Sequence, residues 1–198
     1  MTAKIYAEGG GEGHLLDTLF REAWTDFFKS AGLAGRMPRI VRGKGRFRTF
    51  DLFATAVLNP RPGVLPLLLV DSEGPVAPIA SVWQHLKTRD QWEKPSGSSD
   101  DQAFLMVQIM ETWFLADRAE LRRFFGTSLR EEHLRSWPAL EAVPKVDVLG
   151  ALAKSTAGCT KPYVKGKASF DLLGRINPAL VEAACPHAKS FLDRLRRL

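Results

Sequence analysis

The sequence predicts an α/β fold in which a parallel sheet of about four strands is flanked by helices and followed by a helical C-terminal extension. Short apolar segments alternate with segments whose apolar residues recur at helical spacing, and glycine or proline clusters separate them. A chain of 198 residues that is 45% hydrophobic can also bury a substantial core. We expect one domain over 1–198, with its sheet core within about 1–125 and the extension over about 126–198.

Two strand and helix pairs are predicted in the first third of the chain. Lys4 to Ala7 is a short apolar stretch, and a helical pattern follows from about His14 to Ala31. Arg39 to Arg42 is typical of a second short strand, and Phe47 to Leu58 again carries apolar residues at helical spacing. Because parallel strands need crossover connections, this alternation indicates a doubly wound sheet with helices on both faces.

Two further strands are predicted before the extension. Leu65 to Val70 follows a proline and glycine break, a helix is expected near Ile79 to Leu86, and Ala103 to Met110 is typical of a buried strand. A helix is expected over Thr112 to Phe125. The extension is predicted to be irregular at first and then to contain three short helices, Val146 to Ala157, Phe170 to Ile176 and Ala179 to Leu198.

Charge and cysteine content limit the functional class. The formal net charge of +6 favours polyanionic partners, although a solubilising surface explains it equally well. Two cysteines cannot build the disulfide framework of a small secreted domain, and the longest apolar run, Val64 to Val70, is too short to span a bilayer. We expect a cytoplasmic protein that does not contact the membrane.

Acidic residues follow the predicted strands. Glu8 follows the first strand, Glu12 lies one helical turn further on, Asp71 and Glu73 follow the third, and Glu111 follows the fourth. In an open parallel sheet the carboxyl ends of the strands meet at one edge, where ligands bind. Clustered carboxylates need either raised pKa values or a compensating cation, and Mg²⁺ (or Mn²⁺) prefers such oxygen ligands. If the segment is extended, alternation puts Asp71 and Glu73 on one side. The alternative is that these are solvated loop residues.

Two basic segments are candidates for contacts with phosphate. The first is interleaved with glycines, and its predicted nucleic-acid-binding residues are Arg39, Arg42, Lys44, Arg46 and Arg48. In the second, Lys165 and Lys167 lie near Tyr163 and could stabilise charge that develops on a phosphoryl group. A solvated surface cluster explains either segment equally well.

The chain resembles the bacterial family known as domain of unknown function 4276. The resemblance rests on Tyr6 to Gly11, Gly35 to Pro38, Asp71 to Glu73, Leu105 to Asp117 and Tyr163 to Phe170. That family is grouped with Toprim-like domains, a Rossmann-like fold shared with topoisomerases, primases and overcoming-lysogenisation-defect nucleases. The resemblance implies metal-binding roles for Glu8 and for the pair Asp71 and Glu73, although the Toprim pair is usually two aspartates.

The resemblance also implies partners. Such proteins often accompany an ATPase in phage-defence operons. One hypothesis is therefore a Mg²⁺-dependent nuclease that acts on nucleic acid, DNA more readily than RNA, with Glu8, Asp71, Glu73 and Glu111 as metal ligands and Glu12, Lys165 and Lys167 in supporting catalytic roles. A second is a non-catalytic subunit that docks on an ATPase, and a third is a phosphate-binding enzyme for small molecules. The sequence does not define the oligomeric state.

Overall fold

The computed structural model describes residues 1–11 and 13–198, and its centre is a four-stranded parallel sheet. The strands are β1 (Thr2–Ala7), β2 (Arg39–Arg42), β3 (Val64–Asp71) and β4 (Ala103–Met106), in the order β2-β1-β3-β4. The chain therefore leaves β1 toward one side for β2 and returns to the other side for β3. This reversal places the switch point of the topology between β1 and β3.

Helices flank this sheet, as the alternating pattern predicted. They are α1 (His14–Phe28), α2 (Arg46–Leu58), α3 (Val82–Asp90), α4 (Arg118–Phe125), α5 (Lys145–Thr156), α6 (Lys167–Leu173), α7 (Pro178–Ala184) and α8 (Pro186–Arg196). The predicted fold class, with its C-terminal helices, is confirmed.

Several predicted elements have different limits. Among the helices, α3 begins at Val82 instead of near Ile79, and α6 begins at Lys167 instead of Phe170. The predicted strand Ala103 to Met110 ends at Met106, and a 3-10 helix occupies Met110–Ala116. The predicted helix Thr112 to Phe125 is therefore divided, and α4 begins only after Asp117, whose carboxylate accepts a hydrogen bond from the Glu120 N–H. The predicted last helix is divided at Pro186, because proline has no N–H to continue α7 but suits the first turn of α8.

The two faces of the sheet carry different layers. α1 lies on one face together with the C-terminal helices, since α6 packs against α1 and α8 packs against β4. Trp24, Phe27 and Trp113 lie at the centre of this layer and are fully buried. On the opposite face, α2 and α3 pack with residues such as Phe53 and Trp83. The C-terminal helices therefore complete the same apolar core that the sheet begins.

Two further features bear on the sequence predictions. Within the described residues, no helix combines the length and apolar character needed to cross a membrane. Cys159 and Cys185 are both buried free thiols, and burial raises the pKa of the Cys185 thiol to about 12.

Candidate metal centre

The acidic residues that follow β1 and β3 meet at the switch point of the sheet. β1 pairs directly with β3, so that Glu8, which follows β1, lies beside Asp71, the last residue of β3. The Asp71 N–H donates a hydrogen bond to the Glu8 carboxylate at 3.3 Å. Open α/β sheets bind ligands at this place, because neighbouring chain connections leave in opposite directions there.

Glu73 completes a group of three carboxylates. One oxygen atom from each of Glu8, Asp71 and Glu73 lies within 4.8 Å of the others. We predicted that extended backbone would bring Asp71 and Glu73 to one side. The structure instead gives Glu73 a left-handed φ of 62°, so a turn after β3 directs its side chain to the group. The predicted convergence is present, but its backbone geometry is different.

Cations already contact two of the three carboxylates. Arg46 Nη1 lies 3.0 Å from Glu8 Oε2, and the same guanidinium binds both oxygens of Asp90 at 2.9 and 2.6 Å. Lys145 Nζ lies 2.5 Å from Glu73 Oε2. Among the described residues, Asp71 forms no ion pair. Asp71 is therefore the one carboxylate of the three whose ionised form has no counter-ion among the described side chains.

Burial and repulsion set the protonation of the group. Burial raises the pKa of Asp71 well above its usual range, and the nearby Glu8 and Glu111 carboxylates add to this effect. Burial also raises the pKa of Glu8, against the opposing effect of Arg46. For Glu73, burial is outweighed by Lys145, so its pKa lies below the usual value. A divalent cation would relieve the repulsion that acts on Asp71 and Glu8.

A fourth carboxylate, Glu111, is held nearby in a hydrogen-bond network. It is fully buried in the 3-10 helix after β4, and its Oε1 accepts a hydrogen bond from the Tyr163 hydroxyl at 2.9 Å. Lys165 Nζ lies 3.5 Å from Glu111 Oε2. Desolvation works against the charged form of Lys165, but Glu111 and Asp71 outweigh it, so its pKa is raised. The predicted ligand Glu111 thus lies outside the close group of three and is paired with a lysine.

The carboxylates open into a cavity of about 350 Å³. Glu8, Asp71, Glu73, Glu111 and Lys165 all contribute to its walls, together with the glycines that follow β1. These hard oxygen donors match the ligands of Mg²⁺ or Mn²⁺. The group of Glu8, Asp71 and Glu73 could therefore hold a metal ion.

Two other predicted catalytic residues are placed differently. Lys167 begins α6 and pairs with Asp171 at 2.9 Å, and it does not line the cavity of the carboxylates. Of the two predicted lysines, the structure brings only Lys165 to the acidic group. Glu12 lies outside the described residues.

The predicted basic segment is not a continuous free surface. Arg42 is only 8% exposed, and its guanidinium donates hydrogen bonds to Gly9 O at 3.2 Å and to Asp17 Oδ1 at 2.8 Å. Arg46 is occupied by Glu8 and Asp90. Among the predicted nucleic-acid-binding residues, Arg39, Lys44 and Arg48 remain exposed, with Lys44 paired to Asp17. Arg42 therefore holds the glycine loop after β1, and Arg46 belongs to the acidic site.

Several contributors to the site gave no specific sequence signal. Lys145 lies 72 positions from its partner Glu73, and Arg46 lies 44 positions from Asp90. Ser169 contacts the Tyr163 hydroxyl at 2.8 Å and lines the cavity. Such pairings depend on the tertiary fold, and no local periodicity or motif predicts them.

Replacing Arg46 should show separately how this residue affects the stability of the fold and the binding of a metal ion. We expect Arg46→Met to destabilise the protein by about 2 kcal/mol, because the partly buried Glu8 and Asp90 lose their partner. We also expect tighter Mn²⁺ binding, since Arg46 no longer competes for Glu8. Urea unfolding and calorimetry measure the two effects, with Arg48→Met, an exposed position on the same helix, as the control. Weaker Mn²⁺ binding by a folded Arg46→Met protein would show that Arg46 does not compete with the ion.

The fold and the carboxylate group define a doubly wound α/β protein with a candidate metal centre at its switch point. The family model described as Domain of unknown function (DUF4276) matches residues 7–196, and the chain belongs to this family. This confirms the family resemblance seen in the sequence. No curated protein and no solved structure gives a significant match to the chain.

Proposed function

We propose that this chain is a Toprim-like protein that cleaves phosphodiester bonds in nucleic acid with Mg²⁺ (or Mn²⁺). One observation carries the proposal: Glu8, Asp71 and Glu73 converge within 4.8 Å at the switch point. Lys165 lines the same cavity and could face a phosphate. Metal-dependent phosphoryl transfer needs this combination of oxygen ligands and a nearby cation.

Each residue has a role in this proposal. Glu8, Asp71 and Glu73 would hold the ion, which when bound supplies electrostatic stabilisation to phosphoryl oxygens. Lys165 would stabilise the negative charge that develops in the transition state, since its ammonium group reaches the cavity. Tyr163 and Ser169 would keep Glu111 in a fixed orientation next to Lys165 through their hydroxyl groups.

The Toprim-like assignment is supported by the positions of the acidic residues. An acidic residue follows β1 and an acidic pair stands at the end of β3 in a parallel sheet, similar to the Toprim pattern that the sequence resembles. Glu73 stands where that pattern usually has aspartate, and its left-handed backbone brings the longer side chain to the group. By the same resemblance we propose DNA as the substrate, more readily than RNA, and an ATPase partner in phage defence.

A second candidate function follows from the ion pairs. Arg46 and Lys145 neutralise Glu8 and Glu73 without any metal, so the acidic group could be structural. The chain would then be a non-catalytic subunit that docks on an ATPase. Asp71 weighs against this alternative, because it is buried and forms no ion pair with a described residue.

Metal binding tests the two functions against each other. We expect the wild-type protein to bind Mn²⁺ and Mg²⁺ in calorimetry, and Glu8→Gln and Glu73→Gln to lower the affinity by at least about tenfold. Glu93→Gln, an exposed site that pairs with Lys87, should bind as the wild type does. Circular dichroism would verify folding, and cleavage of DNA with each ion would follow. If the folded wild-type protein binds neither ion, with or without DNA, the non-catalytic function is favoured.

A further inference from the structure

A larger cavity, of about 680 Å³, lies beside the candidate metal centre. α4, the residues before α6 and α6 itself form its walls. Positive charges outnumber negative ones in its lining. The acidic residue is Asp171, and the basic residues are Arg123, Lys161, Lys165, Lys167 and Arg175. We call this surface the basic groove. It attracts polyanions.

The cations of the basic groove are accessible to a ligand. The side chains of Arg123, Lys165 and Lys167 are 66%, 57% and 63% exposed. Arg123 pairs with Glu120 and Lys167 pairs with Asp171, both within one helical turn. Lys161 and Arg175 are exposed, and neither forms an ion pair with a described residue. The groove thus has positive charge that the protein itself leaves uncompensated.

Apolar side chains lie among these cations. The Arg175 guanidinium lies 5.2 Å from the centre of the Phe124 ring, and the Phe124 and Phe125 rings meet edge to face at 4.9 Å. Val164 is 69% exposed at the same surface. Cationic side chains interleaved with aromatic and apolar ones are typical of grooves that bind a single nucleic-acid strand, whose bases are free to contact apolar groups.

The basic groove adjoins the candidate metal centre at Lys165. Lys165 lines both cavities, and its ammonium group also contacts the buried Glu111. A strand that occupies the groove would therefore bring a phosphate past Lys165 to the edge of the carboxylate group. The exposed cations of the Arg39 to Arg48 segment do not line either cavity.

We propose that the basic groove binds single-stranded nucleic acid, with phosphates on Arg123, Lys161, Lys167 and Arg175, and guides it over Lys165 to the carboxylates. The assignment of the ligand as nucleic acid rests on the proposed function. The position of the groove predicts the path of the strand. We infer a single strand because unpaired bases can contact the apolar surface of Phe124, Phe125 and Val164.

Strand binding without metal tests the proposal. Anisotropy of a labelled oligothymidine is measured in EDTA with the full-length wild-type protein and with Lys161→Gln/Arg175→Gln. Each lost phosphate contact lowers affinity roughly fivefold at about 0.1 M salt, so we expect about 25-fold weaker binding. The slope of log affinity against log salt should fall in magnitude by about 1.4, or about 0.7 for each contact.

Two further double variants make the test specific. Arg61→Gln/Lys87→Gln removes one arginine and one lysine from the opposite side of the sheet and should bind as the wild type does. Equal affinity of the groove variant and this control would overturn the proposal, and so would a loss of affinity confined to Arg39→Gln/Arg48→Gln. Tighter binding of duplex than of the single strand would overturn the assignment to unpaired strands.

The outcome is separable from that of the metal centre. EDTA removes divalent ions, so weaker strand binding by the groove variant supports the groove even if calorimetry finds no Mg²⁺ site. If the wild-type protein binds metal and the groove variant keeps full strand affinity, only the groove is overturned.

Discussion

An Asp71→Asn protein is expected to lose the proposed metal-dependent cleavage by more than about 100-fold and yet to unfold at a higher temperature than the metal-free wild type. Asp71 is buried, and it lies close to Glu8 and Glu73 without an ion pair to a described residue. Asparagine removes the repelled charge. It also keeps the Oδ1 atom that accepts the Met110 N–H at 2.9 Å, so the local backbone is preserved.

Thermal melts and cleavage rates, both with and without Mn²⁺, measure these opposite effects. Asp51→Asn, on an exposed position of α2, is the matched control and should change neither quantity. Added Mn²⁺ should raise the melting temperature of the wild type and of Asp51→Asn but not that of Asp71→Asn, because only an intact site couples binding to folding. A destabilised Asp71→Asn protein that still cleaves would show that Asp71 is not a ligand of the proposed metal ion.

The carboxylate group could be predicted because strand ends are local features of the sequence. β2 has the predicted limits, Arg39 and Arg42, and β1 and β3 differ from prediction by one or two residues. In a parallel sheet, these ends fix which side chains share an edge. Glu8 and Asp71 therefore meet for a reason that is visible in the sequence: each immediately follows or ends a short apolar run.

The limit of β4 could not be predicted in the same way. Val107, Ile109 and Met110 are apolar, and these residues and Gln108 between them are all buried, yet none of the four lies in β4. A buried 3-10 turn and a buried strand can both carry a short run of mostly apolar residues, so periodicity does not separate them. The prediction therefore placed Glu111 directly at a strand end, although it lies in a 3-10 helix.

The role of Arg46 could not be predicted from local sequence patterns either. In the sequence it is one cation among several between glycines, and the basic segment predicts contact with phosphate. Its position at the start of α2 turns its side chain toward Glu8 and Asp90, and its guanidinium lies 5.1 Å from the centre of the Trp92 ring. Only the packing of α2 on the sheet decides between a free cation and a paired one.

The aromatic layer formed by Trp24, Phe27 and Trp113 should be the part of the fold most sensitive to substitution. Trp113 is fully buried, stacks on Phe27 with ring centres 5.5 Å apart, and meets Trp24 edge to face at 6.0 Å. We expect Trp113→Ala to lower the free energy of unfolding by about 3 to 5 kcal/mol, because it leaves a large cavity. Urea unfolding measures the change. Trp137→Ala, at a half-buried position, should have a much smaller effect.

Trp113→Phe should destabilise the protein far less than Trp113→Ala. The comparison of the two variants shows what an aromatic ring at this position contributes to stability. The Trp113 Nε1 atom has no hydrogen-bond partner among the described residues, so phenylalanine gives up no hydrogen bond and keeps an aromatic face against Phe27. We expect a cost of about 1 kcal/mol, from the smaller volume alone. Because Trp113 lies in the 3-10 helix whose Met110 N–H donates a hydrogen bond to Asp71, Trp113→Ala should also weaken Mn²⁺ binding in the fraction that folds. Equal stability of the alanine and phenylalanine variants would show that this layer does not depend on aromatic packing.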